Sequence, residues 1–195
     1  VLNEDFLPMR STLPTTVIYV LACLLTTHTA HASETEGLAA LRDGSLKKLI
    51  VHDSPARNTY EALVDRNGQA ADLENFESAV LVVNFFAVWC APCRIEMPSL
   101  DRLQSRFDPE DLTVIVVATG RHAEGAIDGF LTETGIARLT VLEDPTGAFT
   151  RSLGVFGLPT TLLLDPDRQE VARLVGDADW DSDSSVAIIT HMLEN

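Results

Sequence analysis

Trp89-Cys90-Ala91-Pro92-Cys93-Arg94 places two thiols within one helical turn, where a strand gives way to a helix. Upstream, Ala79-Val80-Leu81-Val82-Val83-Asn84-Phe85-Phe86-Ala87 is an almost unbroken apolar run rich in β-branched and aromatic residues, the pattern of a buried strand. Downstream, Ile95, Leu100, Leu103 and Phe107 recur at roughly helical spacing with polar residues between them. The unpaired N–H groups of a helix's first turn, and its dipole, favour negative charge. A thiolate is such a charge, and it is the form of cysteine that attacks disulfides. The stretch points to thiol–disulfide exchange.

The 195 residues, 46% of them hydrophobic, suffice for one well-buried domain and are too few for two ordinary ones. A net charge of −15 argues against nucleic-acid binding through phosphate contacts. Of three cysteines, Cys23 lies in an apolar N-terminal run, which leaves Cys90 and Cys93 for the folded part. Two cysteines cannot make a disulfide framework, and a single CxxC lacks the second ligand pair of a structural zinc site. No metal and no cofactor beyond the dithiol itself is expected.

The N-terminal segment reads as an address. Arg10 precedes the apolar run Val17-Ile18-Tyr19-Val20-Leu21-Ala22-Cys23-Leu24-Leu25, and Ala30-His31-Ala32 follows as a small-x-small cleavage site. Cleavage after Ala32 would leave Ser33 first. Glu4 and Asp5 are unusual at the start of a signal, so Met9 fits as its first residue better than Val1. Two other fates stay open. The apolar core is short against the ~20 residues of a membrane span, yet no charge falls between Arg10 and Glu34, which allows a retained anchor. Val20-Leu21-Ala22-Cys23 also loosely resembles a lipoprotein box. All three fates put the domain outside the cytoplasm, in the periplasm. The expected division is residues 1–32 as signal peptide or membrane anchor, 33–52 as leader or linker, and 53–195 as the folded domain.

Within the leader, Leu38, Leu41, Leu46 and Leu49 suggest loose helix interrupted at Asp43-Gly44. Tyr60 to Asp65 reads as a strand, Arg66-Asn67-Gly68-Gln69 as a turn, and Leu73 to Phe76 as a short helical turn. Beyond the dithiol helix, a buried strand is expected at Leu112 to Ala118 and a helix at Glu124 to Thr134, ended near Gly135. A short strand at Leu139 to Leu142 and a helix from Gly147 to Leu153 come next. Thr160 to Leu164 and Glu170 to Val175 form a hairpin about Asp165-Pro166-Asp167-Arg168, and Ser184 to Leu193 is a closing helix capped within Asp181 to Ser184. This alternation argues for an α/β fold with a mixed central sheet.

Phe86-Ala87-Val88-Trp89-Cys90-Ala91-Pro92-Cys93, followed by Gly157-Leu158-Pro159-Thr160-Thr161, resembles the thioredoxin superfamily, and within it the extracytoplasmic TlpA/ResA-like branch. Arg94-Ile95-Glu96-Met97-Pro98 matches that branch's CxxC-x-x-E-x-P pattern. The 69 positions from Cys90 to Pro159 leave room for an extra helix–strand unit between the CxxC helix and the proline strand. Ala178-Asp179-Trp180 is similar to an Ala-Glu-Trp near that point in TlpA. The resemblance covers roughly Leu49 to Leu193. It implies a thioredoxin fold and a periplasmic thiol–disulfide oxidoreductase that reduces disulfides on client proteins, commonly in cytochrome c or cytochrome oxidase copper-site assembly. A membrane electron donor of the DsbD/CcdA type is implied with it.

Residue roles follow from the resemblance and the local chemistry together. Cys90 is expected to be the exposed attacking thiol and Cys93 the buried resolving one. Pro92 suits a first helical turn, where no hydrogen bond is lost. Strong oxidases of the superfamily carry a histidine between the cysteines; Ala91 and Pro92 offer none, which favours a reductant. Pro159 matches the cis-proline beside the dithiol, and Glu96, three residues past Cys93, matches an acid that moves the buried thiol's proton. Asn84 stands where thioredoxin has a buried aspartate, which strengthens the case for Glu96. Trp89, Pro92 and Leu158 are expected to shape the client-docking surface, while Trp180 reads as structural. Two alternatives remain, a disulfide oxidase or isomerase and a copper-binding assembly factor. The related Sco-type copper chaperones use CxxxC with a distal histidine, whereas this chain has CxxC, with His122 alone between the motif and Pro159.

Overall fold

The computed structural model describes residues 36–56 and 63–195. The expected signal or anchor and the Tyr60 end of the expected strand lie outside these residues. Among them, no helix is long and apolar enough to cross a membrane. One eight-stranded sheet runs through the molecule in the order β1-β8-β7-β4-β5-β6-β2-β3. Its strands are β1 (Ile50–Ala56), β2 (Leu63–Val64), β3 (Ala70–Ala71), β4 (Val80–Phe86), β5 (Leu112–Thr119), β6 (Thr140–Asp144), β7 (Thr160–Leu164) and β8 (Glu170–Val175). The pairs β4–β5 and β5–β6 are parallel and the other pairs antiparallel, so the sheet is mixed as expected. Helices α1 (Ala91–Gln104), α2 (Ala126–Thr134), α3 (Ala148–Ser152) and α4 (Asp183–Glu194) flank it. The unit α2–β6–α3 occupies the interval between the dithiol helix and the cis-proline strand, where the sequence left room for it.

Every residue of β4 is buried, because helices cover both faces of the sheet at its centre. Side chains alternate across a strand, and two apolar clusters divide by parity. Val80, Val82 and Phe86 join Val114, Val116 and Ala118 beneath Met97, Leu100 and Leu103 of α1 and Ile188 and Ile189 of α4. Leu81, Val83 and Phe85 join Ile115 and Val117 around Phe149 of α3. Full burial stabilises each such side chain by roughly 1.5–3 kcal/mol. Parity therefore sends Asn84 of β4 and Thr161 of β7, cross-strand partners, to the α1 face.

The predicted elements from Leu73 onward appear within a few residues of their expected bounds. Gly135 closes α2 in the left-handed conformation (φ 69°), which a residue with a Cβ adopts only under strain. The leader shows the expected helix broken at Asp43-Gly44 and adds a strand. Residues 36–40 are helical, a 3-10 helix spans Gly44–Lys48, and β1 pairs with β8 along its outer edge. Leu38, Leu46 and Leu49 are at most 2% exposed within the α1-side cluster. The leucines of residues 36–49 thus complete the core between α4 and the sheet.

Candidate active site

Strand β4 ends at Phe86, and after the four residues Ala87 to Cys90 the chain enters α1. The Cys90 N–H bonds the Ala87 carbonyl (3.0 Å), and Cys90 itself is the helix N-cap. Its Sγ accepts the Cys93 N–H at 3.3 Å, one of the donors a helix start leaves unpaired. Cys90 and Cys93 are joined by a disulfide, with Cα atoms 5.3 Å apart. Cys93 is fully buried and Cys90 is 4% exposed. Cys90, expected to be exposed, is therefore buried in this disulfide-bonded form, as Cys93 is. On reduction, the amide that now faces Cys90 Sγ and the dipole of α1 would both favour a thiolate there.

Arg94 fastens this turn. Its Nη2 donates to the Val88 carbonyl (3.1 Å), its Nη1 pairs with Glu133 of α2, and its guanidinium lies 4.6 Å from the Phe130 ring centroid. Phe130 in turn stacks on Phe86 (4.9 Å), so the end of β4, the start of α1 and α2 are locked together.

The Leu158–Pro159 peptide bond is cis. In β7, Thr160 is level with Phe85 of β4. One further step of this antiparallel register sets Pro159 level with Phe86, at the sheet end that carries the dithiol. Pro159 is buried, and its carbonyl accepts the Gly176 N–H (2.8 Å). Pro92 is half-buried in the first turn of α1, and Trp89 is 77% exposed. Leu158, half-buried, packs partly against both cores. Phe156, 91% exposed, is the large apolar side chain that this loop offers to solvent, and Ile95 of α1 is 74% exposed. Sequence reasoning passed over Phe156, although it stands only three residues before Pro159, and it grouped Ile95 with Leu100 and Leu103, which are buried while Ile95 faces solvent.

Glu96 shares the buried face of α1 with Cys93 and is 2% exposed. Its Oε1 accepts from Asn84 Nδ2 (2.7 Å), and its Oε2 from Trp180 Nε1 (3.1 Å) and the Ala178 N–H (3.2 Å). Burial pushes its pKa from the usual 4.5 up to about 7; the three donors oppose this, and nearby Asp177 adds to it. Trp180, expected to be structural, is thereby a direct partner of the one strongly perturbed carboxyl on the dithiol helix. The arrangement can supply a nucleophilic sulfur at a helix start, a second sulfur to resolve what it forms, and a carboxylate able to gain or lose a proton near neutrality.

A model of the Redoxin family matches residues 42–189. The thiol:disulfide interchange protein DsbE homolog of Paracoccus denitrificans is 32% identical over 143 residues, covering 72% of this chain and 75% of that protein. The thiol-disulfide oxidoreductase ResA of Bacillus subtilis is 27% identical over 130 residues, 67% of this chain and 70% of ResA. Against ResA of Bacillus thuringiensis (strain 97-27), 25% identical, the chain spans 65% of the relative's length. Among solved structures, a Chlorobium tepidum protein assigned as thiol:disulfide interchange protein DsbE superposes with a TM-score of 0.63 at 27% identity, covering 71% of this chain and 96% of its own. StoA of Bacillus subtilis shares the fold, with a TM-score of 0.56 at 15% identity over 70% of this chain and 99% of StoA. The fold is that of thioredoxin, and with the family match running from Arg42 into α4, this chain belongs to the Redoxin family.

Proposed function

We propose that this protein is an extracytoplasmic thiol–disulfide oxidoreductase that acts as a reductant of client disulfides. The observation that carries the reading is the Cys90–Cys93 pair capping α1 at the sheet end where the cis Leu158–Pro159 bond lies. The names of the relatives, ResA and DsbE homolog, agree with the chemistry. In the reaction, the Cys90 thiolate attacks one sulfur of a client disulfide. A Cys90–client mixed disulfide forms, and the client's other sulfur leaves as a thiolate. Cys93 gives up its proton and attacks Cys90 Sγ; the Cys90–Cys93 bond forms and the client's second thiolate departs. The client disulfide gains two electrons, and the dithiol becomes the disulfide seen here. Glu96 is the acceptor for the Cys93 proton. Trp89, Pro92, Leu158 and the backbone at Pro159 form the surface on which the client segment lies.

The resemblance to the TlpA/ResA-like branch supports clients in cytochrome c or cytochrome oxidase copper-site assembly, a periplasmic location, and recharging by a membrane donor of the DsbD/CcdA type. The absence of a histidine between the cysteines supports the reducing direction. The test is the reduction potential of the Cys90–Cys93 couple, by equilibration against glutathione or dithiothreitol. A value of roughly −200 to −280 mV is expected, between glutaredoxin-like and thioredoxin-like poise. A value near about −120 mV, the DsbA end, would make the protein a disulfide donor and end the reductant reading.

A further inference from the structure

We propose that Trp180 and Asn84 are positioning residues of the redox reaction: they hold the Glu96 carboxylate by its two oxygens on the face of α1 that carries Cys93, and the Asn84 amide turns over when Glu96 takes up a proton. The inference rests on the thiol–disulfide reading and extends it to residues contributed by β4 and by the loop before α4.

The loop from Asp177 to Asp181 is a bracket closed on α1. The Trp180 N–H donates to Ser99 Oγ (3.0 Å), while Asp181 pairs with Arg102 (2.7 Å) and with Arg106. At the other end, the Asp179 N–H donates to Ser45 Oγ (2.9 Å). The indole of Trp180 is fully buried, so its Nε1–H has a fixed direction, toward Glu96 Oε2. Ser99 Oγ bonds the Glu96 backbone carbonyl (2.7 Å) and Cys93 shares the buried face of α1, while the groups bonded to the carboxyl are Asn84 on β4 and Ala178 and Trp180 on the loop. Asp177 is the charged residue whose field reaches it.

Asn84 is satisfied on one side only. Its Nδ2 donates to both Glu96 Oε1 (2.7 Å) and Thr161 Oγ1 (2.8 Å), whereas its Oδ1 is buried with no partner among the described residues. A buried acceptor without a donor is costly. This orientation suits an ionised Glu96, which only accepts. Once Glu96 carries a proton on Oε1 it becomes a donor. Rotation of the amide by half a turn then presents Asn84 Oδ1 to that proton and to the Thr161 hydroxyl, which changes from acceptor to donor. In the resolving step the proton leaves Cys93 Sγ for Glu96, the Cys93 thiolate attacks Cys90 Sγ, and the amide turns. Thr161 is two residues past Pro159, so the protonation state of Glu96 is read out on the strand that carries the cis-proline.

Two measurements test this in the full-length protein. In the oxidised form the dithiol does not titrate, and indole N–H resonances are followed from pH 4.5 to 9. The Trp180 signal is expected to move with a midpoint near 7 in wild type and to stay flat in Glu96→Gln, with the exposed Trp89 signal as internal reference. In the reduced form, the rate at which Cys93 resolves a Cys90–glutathione mixed disulfide is followed against pH. Loss of one charge-assisted donor in Trp180→Phe or Asn84→Ala is expected to raise the midpoint by about one pH unit, roughly a tenfold slower step below it. A purely structural Trp180 would lower the urea midpoint and leave the pH profile in place. A flat Trp180 resonance, or variant profiles that coincide with wild type, overturns the inference while leaving the oxidoreductase reading intact. No resolution of the mixed disulfide by wild type at any pH would remove that reading, and the inference with it.

Discussion

Replacing Glu96 with glutamine should make the oxidised protein more stable above pH 7 and remove a large part of its pH dependence. The wild-type carboxyl ionises at about 7 in the folded chain against 4.5 when unfolded, because burial penalises its charged form. Between these values the folded state holds a proton that the unfolded state has released, so stability falls as pH rises. The favourable contribution is complete below 4.5, declines through the interval, and is gone above about 7. A span of about 2.5 pH units at ~1.4 kcal/mol each gives a loss of about 3 kcal/mol, an order-of-magnitude figure. Glutamine keeps the shape, accepts from Trp180 and Ala178 through its oxygen, and offers its amide nitrogen to a rotated Asn84. The assay is urea unfolding of both oxidised proteins from pH 4 to 8.5. Subtracting one curve from the other cancels the remaining titrating groups. Glu96→Gln should match wild type within about 1 kcal/mol at the acid end and exceed it by up to about 3 kcal/mol at pH 8. A difference that stays level across the range would refute the argument that burial controls this carboxyl.

Cys93→Ser should accumulate a mixed disulfide through Cys90 when offered an oxidised client or glutathione disulfide, visible as added mass; trapping through Cys93 in Cys90→Ser instead would invert the order of attack. Arg94→Met should cost about 1–2 kcal/mol in urea unfolding, since it removes the bond to the Val88 carbonyl and the contact with the Phe130 ring. Asp101, whose pKa is lowered despite burial by donors from Ala137 and Arg138, should stabilise the fold above its usual pKa of 3.8 and lose that effect as pH falls further; Asp101→Asn should flatten this acid limb. Phe156→Ser should leave the stability and potential of the dithiol almost unchanged while slowing exchange with an apolar cysteine-containing peptide, because Phe156 is almost wholly exposed.

The centre of the fold was legible because its strands are apolar runs and because Gly135 closes α2 and Gly154 follows the end of α3. Parity in β4 even reveals the side on which Asn84 lies. The Glu96 site was half legible. Cys93 and Glu96 follow from helical spacing, but Trp180 lies 84 positions from Glu96 and no local pattern joins them. The Ala178-Asp179-Trp180 match was the available signal, and it was read as packing. β1 escaped because Ile50-Val51-His52-Asp53-Ser54-Pro55-Ala56 lacks alternation and carries a proline. It becomes a strand through pairing with β8, a tertiary effect that overrides weak local preference.

The place of β1 has a consequence for any shortened version of this protein. Starting the chain at residue 53 would strip the outer neighbour from most of β8, leaving its backbone donors and acceptors open as a template for another chain. It would also remove Leu38, Leu46 and Leu49 from the core. Pro55, within β1, belongs to the edge as it now stands, where a missing N–H discourages further strands from joining. The segment that looks dispensable in sequence is the guard that keeps the sheet from growing, and its loss should be seen as self-association before it is seen as lost redox chemistry.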